Sequence, residues 1–267
     1  MLAVAGLSGA RLPRGRELMH TAVCGIICIG IGNGLLAIAE EWIPSGLAAL
    51  FYTTSPFWMV GLDWMLPAGK RPLATTVGGL MIGLCGVIFL VLPAAMREGF
   101  GGQTLAGFLI LQLSGIGWVA GSLLQRRVKT HVQPFVSGAV QQAAAGAAMF
   151  IPAALFEHFP RGVTARSEFA VAYLVVFGSI VGFSAFIYSM THLPVAIVSI
   201  YTFVNPVVAV FLGWLFFREP FGYREAVAMA IIFTGIALVR WSEAGRTVAA
   251  SAPASDEVGT IEDWSDT

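Results

Sequence analysis

Charge is what this chain has least of. Fifteen Lys and Arg and fifteen Asp and Glu make up 11% of its 267 residues and cancel to a formal net charge of zero. A soluble domain carries about 25% charged residues, so a water-facing globular surface is excluded. The balance also leaves no basic footprint for nucleic acid. Cysteine and histidine are nearly as sparse, at three and four. Cys24, Cys28 and Cys85 all lie in apolar runs, and Cys24 and Cys28 share a helix face at i, i+4. With no further ligands beside them they read as small packing residues, not as a metal site. No G-x-x-x-x-G-K-[ST] loop occurs, because Gly69-Lys70 lacks the upstream glycine. ATP is therefore not expected as the direct energy source, and no cofactor is expected.

What the chain has in abundance is apolar length. Hydrophobic residues are 57% of it and its mean hydropathy is +0.80. A helical span needs about 20 mostly apolar residues, and eight stretches qualify: 19–39, 45–66, 73–93, 105–124, 135–156, 169–190, 195–217 and 225–241. Only helices suit such segments, since each backbone polar group must be satisfied within its own span. The fold class expected is an all-α polytopic membrane protein, with the lipid bilayer as its surroundings. Arg11, Arg14, Arg16, Lys70, Arg71, Arg126, Arg127, Lys129, Arg240 and Arg246 fall on one side. Arg97, Arg161, Arg166, Arg218 and Arg224 fall on the other, mostly beside acids. Lys and Arg concentrate on cytoplasmic loops, which predicts a cytoplasmic C-terminus. Residues 1–10 are apolar but too short to span and lack a basic n-region, so they do not read as a signal peptide. Residues 242–267, rich in Ala, Ser, Asp and Glu, read as a disordered cytoplasmic tail.

One segment occurs twice, about 150 residues apart. Ile43 to Met65 (IPSGLAALFYTTSPFWMVGLDWM) aligns with Leu193 to Leu215 (LPVAIVSIYTFVNPVVAVFLGWL), matching Pro44 with Pro194, Pro56 with Pro206, Leu62 with Leu212 and Trp64 with Trp214. The second copy is the fifth span after the first, with four spans between them, so the copies cross the membrane in opposite senses. Inverted repeats of this kind build secondary transporters. The first copy lies within 1–93, which has three full spans, and the second within 105–241, which has five. The expected complete architecture is five plus five. The run Gly32 to Trp58 (GNGLLAIAEEWIPSGLAALFYTTSPFW) resembles the third and fourth helices of the EamA-like branch of the drug/metabolite transporter superfamily. The run Phe203 to Phe221 (FVNPVVAVFLGWLFFREPF) resembles that branch's ninth-helix signature. The resemblance implies a ten-helix inner-membrane carrier, here lacking the first helix and most of the second. The activity expected is the outward movement of a small organic metabolite or drug by alternating access. A second copy of the chain is the expected partner if eight helices suffice. A non-transporting remnant is the alternative. An intramembrane enzyme fits far less well, since Asp63 stands alone at its depth.

Polar groups inside a membrane are costly, so each is a candidate for the pathway. Pro56 and Pro206 cannot donate to the carbonyls of Tyr52 and Thr202, which predicts a kink and a bare acceptor in each copy. Phe51/Ser55 and Tyr201/Asn205 place an aromatic and a hydrogen-bonding side chain together one turn ahead. Either they touch solute or Ser55 and Asn205 cap freed carbonyls. Asn33, among Gly30, Gly32 and Gly34, touches solute or glues helices. Trp58, Trp118, Tyr188 and Tyr201 are candidates for stacking on an organic solute. Gln141 and Gln142 are mid-span, and at least one faces the interior; Gln141 is taken as the candidate. Asp63 accepts a proton or pairs with Lys70 or Arg71, the pair being the stronger reading. Glu40 and Glu41 read as a solvated exit face. His131 and His192 sit at cytoplasmic ends. Gly79-xxx-Gly83, Gly117-xxx-Gly121 and Gly178-xxx-Gly182 read as close-packing seams.

Overall fold

The computed structural model describes residues 11–43, 45–67, 69–98, 103–128, 132–156, 164–217 and 222–251. Every regular element among them is a helix. In chain order these are α1 (Arg16–Glu40), α2 (Ser45–Tyr52), α3 (Ser55–Met65), α4 (Ala74–Glu98), α5 (Thr104–Arg127), α6 (Pro134–Phe156), α7 (Ala165–His192), α8 (Val195–Ser199), α9 (Tyr201–Phe217) and α10 (Tyr223–Ser251). Among the described residues seven segments are long and apolar enough to cross a membrane: α1, α4, α5, α6, α7, α8 with α9, and α10. The eighth expected span, 45–66, is present as two pieces, α2 and α3.

The two repeat copies break differently. In the first, Thr53 and Thr54 form a turn and the helix restarts at Ser55, so Pro56 stands in a first helical turn, where its missing N–H costs nothing. Thr53, Thr54 and Ser55 each turn a hydroxyl back onto the carbonyl three residues earlier, at 2.6, 2.8 and 2.6 Å. Such back-bonding competes with the helical ladder and favours a break. In the second copy the hydroxyls sit earlier: Ser199 bonds Ala196 O and Thr202 bonds Ser199 O, at 2.8 and 2.9 Å. The break follows them to Ile200, and Pro206 lies inside α9. The matched kinks expected at the two prolines are thus a break at the first and an earlier break ahead of the second.

Small residues bring the helices together. A Cβ on Gly235 of α10 would stand 2.5 Å from Gly83 N and 2.6 Å from Gly79 O of α4. Around this crossing Leu80, Val87, Phe203, Ala228 and Ile232 form the largest core cluster. A Cβ on Gly121 of α5 would stand 2.6 Å from Cys28 Cβ, and Cys24 and Cys28 are buried there, as packing residues should be. The third expected seam does not pack: a Cβ on Gly178 would meet nothing, and on Gly182 only its own Phe177 O. The last helix also runs past the expected end at 241 to Ser251. Ser242 and Glu243 are buried and bond Thr75 and Thr76 of α4, which holds this stretch in place. Residues 252–267, Lys129 and His131 lie outside the described residues.

Candidate functional site

Among the described residues two helical segments are wound more widely than an α-helix, and the repeat relates them. Ile26–Asn33 in α1 and Leu174–Gly182 in α7 are wound in wide turns with i→i+5 bonds. The 150-residue offset places the first onto 176–183, almost the whole of the second. Wide turns are rare and gather at functional sites. Each has a carbonyl claimed by a neighbouring helix: Ser114 Oγ of α5 donates to Gly32 O at 2.6 Å, and Gln142 Nε2 of α6 donates to Ser179 O at 2.8 Å.

Between the wide segments lies a cavity of about 1050 Å³. Its walls come from both repeats: Ile29 and Asn33 of α1 on one side, and α5 to α10 on the other. One wall is aromatic. The Trp118 ring stands 5.2 Å from Phe186 and 6.1 Å from Phe183, and Phe186 meets Tyr201 edge-on at 5.6 Å. The polar groups are Asn33, Gln142, Ser179, Ser189, Tyr201 and Asn205. Arg240 is the one charged residue among the described lining residues. The buried Trp118 indole N–H meets no acceptor in good hydrogen-bond geometry among the described residues, and Tyr201 is the polar side chain beside it. Gly178 and Gly182, which make no seam, line this space instead. An apolar cavity with a few convergent polar groups suits a small organic ligand.

Four of the residues singled out from sequence come together here: Asn33, Trp118, Tyr201 and Asn205. The others do not. Ser55 is buried and spends its hydroxyl on the Tyr52 carbonyl that Pro56 leaves free. Tyr52 packs into the Ala39, Ile43 and Leu111 cluster. Trp58 donates its indole N–H to Gln112 Oε1 at 2.8 Å. Tyr188 points away from the cavity and stacks on His192 at 4.1 Å. Gln141 is fully buried where its backbone crowds Gly25 of α1, and its amide reaches Ser137 Oγ at 3.2 Å. Its neighbour Gln142 takes the cavity position. Asp63 pairs with Arg127 at 2.9 Å, not with Lys70 or Arg71.

Ser179, Ser189, Phe183 and Phe186 of the cavity wall, and Gln112 outside it, were not picked out from sequence. Phe183 and Phe186 follow a pattern that was readable: Ser179, Gly182, Phe183, Phe186 and Ser189 recur every three or four residues, a polar and aromatic face on an otherwise aliphatic helix. Gln112 had no such signal. It accepts from Trp58 Nε1 at 2.8 Å, shares with Phe51 O the single proton of Thr54 Oγ1, also at 2.8 Å, and donates to Phe51 O at 3.3 Å, so it splints the α2–α3 break. Among the described residues no three His, Cys, Asp or Glu side chains gather as a metal site.

Residues 1–92 and 105–241 match the EamA-like transporter family. YedA of Escherichia coli K12, named an uncharacterized inner membrane transporter, is 32% identical over 90% of this chain and 76% of YedA. Protein PecM of Dickeya dadantii is 24% identical over 87% of this chain and 77% of PecM. A protein crystal structure superposes with a TM-score of 0.74 over 90% of this chain and 82% of that one; at 23% identity the likeness is one of fold.

Proposed function

The chain belongs to the EamA-like transporter family of membrane transporters, and from that premise we propose that it is a secondary carrier of small organic solutes. The solute sits in the cavity between the wide-turned segments of α1 and α7. That cavity carries the reading: about 1050 Å³, walled by both inverted repeats, aromatic on one side and amide-bearing on the other. Ligand pockets for small organic molecules run to about 300–1,000 Å³. Asn33 and Asn205 orient the solute by hydrogen bonds, and Trp118, Phe186 and Tyr201 stack against its body. With Arg240 as the charge among the described lining residues, a neutral or acid-bearing solute is favoured over a cation. Alternating access comes from rocking of the repeats about this point. The end bearing Lys70, Arg126, Arg127 and Arg246 faces the cytoplasm by the positive-inside rule. Transport is outward.

The test is efflux from cells and uptake by inverted vesicles over a panel of amino acids, aromatic acids and drugs. Tyr201→Ala and Asn205→Ala are expected to lower the rate by roughly 5–30-fold, the equivalent of one to two kcal/mol, with unchanged expression. Unchanged rates in both variants would remove the cavity from the pathway.

A further inference from the structure

A second pocket, of about 610 Å³, opens where α3, α5, α7 and α10 end, and it touches the solute cavity at Leu193. Its charges do not balance. Asp63 is taken by Arg127 at 2.9 Å. Glu243 lies 3.9 Å from Arg246 and accepts from Thr76 Oγ1 at 3.1 Å. Lys70, Arg126 and His192 remain, and among the described residues none of them has a carboxylate in ion-pair reach. Arg126 is held in place: one terminal nitrogen donates to both Met190 O and Leu193 O at 2.6 Å. Its guanidinium is therefore ordered before any ligand arrives, with its other N–H groups left to spend. His192 is also fixed, its Nδ1 at 2.8 Å from Tyr188 O, which leaves Nε2 open.

We propose that this pocket binds a phosphate group, supplied either by an anionic phospholipid headgroup or by free phosphate. A fixed guanidinium beside a flexible ammonium suits a tetrahedral oxyanion, which accepts forked bonds from Arg and a point charge from Lys. Basic pockets between membrane helices recognise lipid phosphates by the same means. The pocket also spans the repeats, with Val60 and Pro72 from the first and Val195 and Ala196 from the second. A bound phosphate thus ties both halves together at one end and favours the conformation closed there.

The experiment uses the purified full chain in nanodiscs of phosphatidylcholine alone or mixed with phosphatidylglycerol. Inorganic phosphate is added to the former against chloride at equal ionic strength, and unfolding temperature and retained lipid are read. A ligand that binds the folded state raises its stability by mass action, and a rise of about 2–4 °C is expected for the wild type. The exposed-site double variant Lys70→Gln with His192→Gln should lose at least half of that rise. Arg126→Gln, which also loses backbone bonds, serves only as a second variant. A rise with phosphatidylglycerol alone assigns the site to a headgroup. A rise with inorganic phosphate assigns it to the free anion. No rise with either, or an equal rise in the double variant, overturns the proposal.

Discussion

Gln141 and Gln142 lie 100° apart around one helix, and that rotation separates their roles. Gln141 sits in the contact with α1, fully buried, with its Oε1 unpartnered. Gln142 reaches the cavity and the Ser179 carbonyl. Replacing a half-satisfied buried amide by an apolar group of similar size costs little. Gln141→Met is expected to keep stability within about 1.5 kcal/mol and to leave transport unchanged. Gln142→Ala leaves a wide-turn carbonyl without its donor, and transport should fall roughly 5–30-fold. Rates in vesicles and unfolding temperatures in detergent check the pair; equal effects at both positions would refute the assignment. The residue types of the site were legible in the sequence, since polar groups stand out against an apolar background. Which of two adjacent amides faces the cavity was not, because that depends on how α6 is rotated against α1 and α7. The same limit applies to Asp63. Its need for a cation was readable, but Arg127 lies on a helix that only the packed bundle brings to it.

At the scale of elements, breaks and wide turns are local events that need tertiary partners. The α2–α3 break depends on Gln112, which makes three bonds to it from α5. Side-chain hydrogen bonds inside membranes average about 0.6 kcal/mol each. Gln112→Leu should therefore destabilise the chain by about 2 kcal/mol. Combined with Thr54→Val, the loss should fall short of the sum of the single losses, because the two residues share a bond. Thermal unfolding of the four proteins in the cycle measures the coupling, and strict additivity would show that the Thr54–Gln112 bond contributes nothing. The prolines were visible in sequence and drew attention to the right helices. The break points were set instead by Thr53–Ser55 and Ser199–Thr202, whose hydroxyls compete for backbone carbonyls. Gly178 and Gly182 carried a seam-like spacing, but that spacing presumes α-helical turns. In a segment with i→i+5 bonds it does not present one packed stripe.

For the whole molecule, one end of the bundle joins the two repeats. Arg127 holds Asp63 and the Pro67 carbonyl of the first, and Arg126 holds Met190 and Leu193 at the entry to the second copy. The Asp63–Arg127 pair is about a quarter exposed, so it contributes little to stability, about 1 kcal/mol or less. Its effect should appear in the conformational balance. Asp63→Asn and Arg127→Gln are expected to alter transport in the same direction with small changes in unfolding temperature. The reversed pair Asp63→Arg with Arg127→Asp should recover part of the rate. Vesicle assays on the three variants decide this, and independent effects without recovery would count against a coupled pair.

The sequence by itself determined the membrane class, the helical architecture, the inverted repeat and the family. The first two follow from hydropathy and from the demand that backbone groups in lipid be satisfied within a segment; the repeat and the family were read from the matched Pro, Leu and Trp positions and from the runs Gly32 to Trp58 and Phe203 to Phe221. All are properties of short stretches of chain. The tertiary structure decided the wide turns, the splint at Gln112, the partner of Asp63, the helical course of 242–251 and the membership of the cavity. Each of these depends on how one helix is rotated and seated against another. That arrangement is a sum over many weak contacts, to which no single stretch of sequence holds the key.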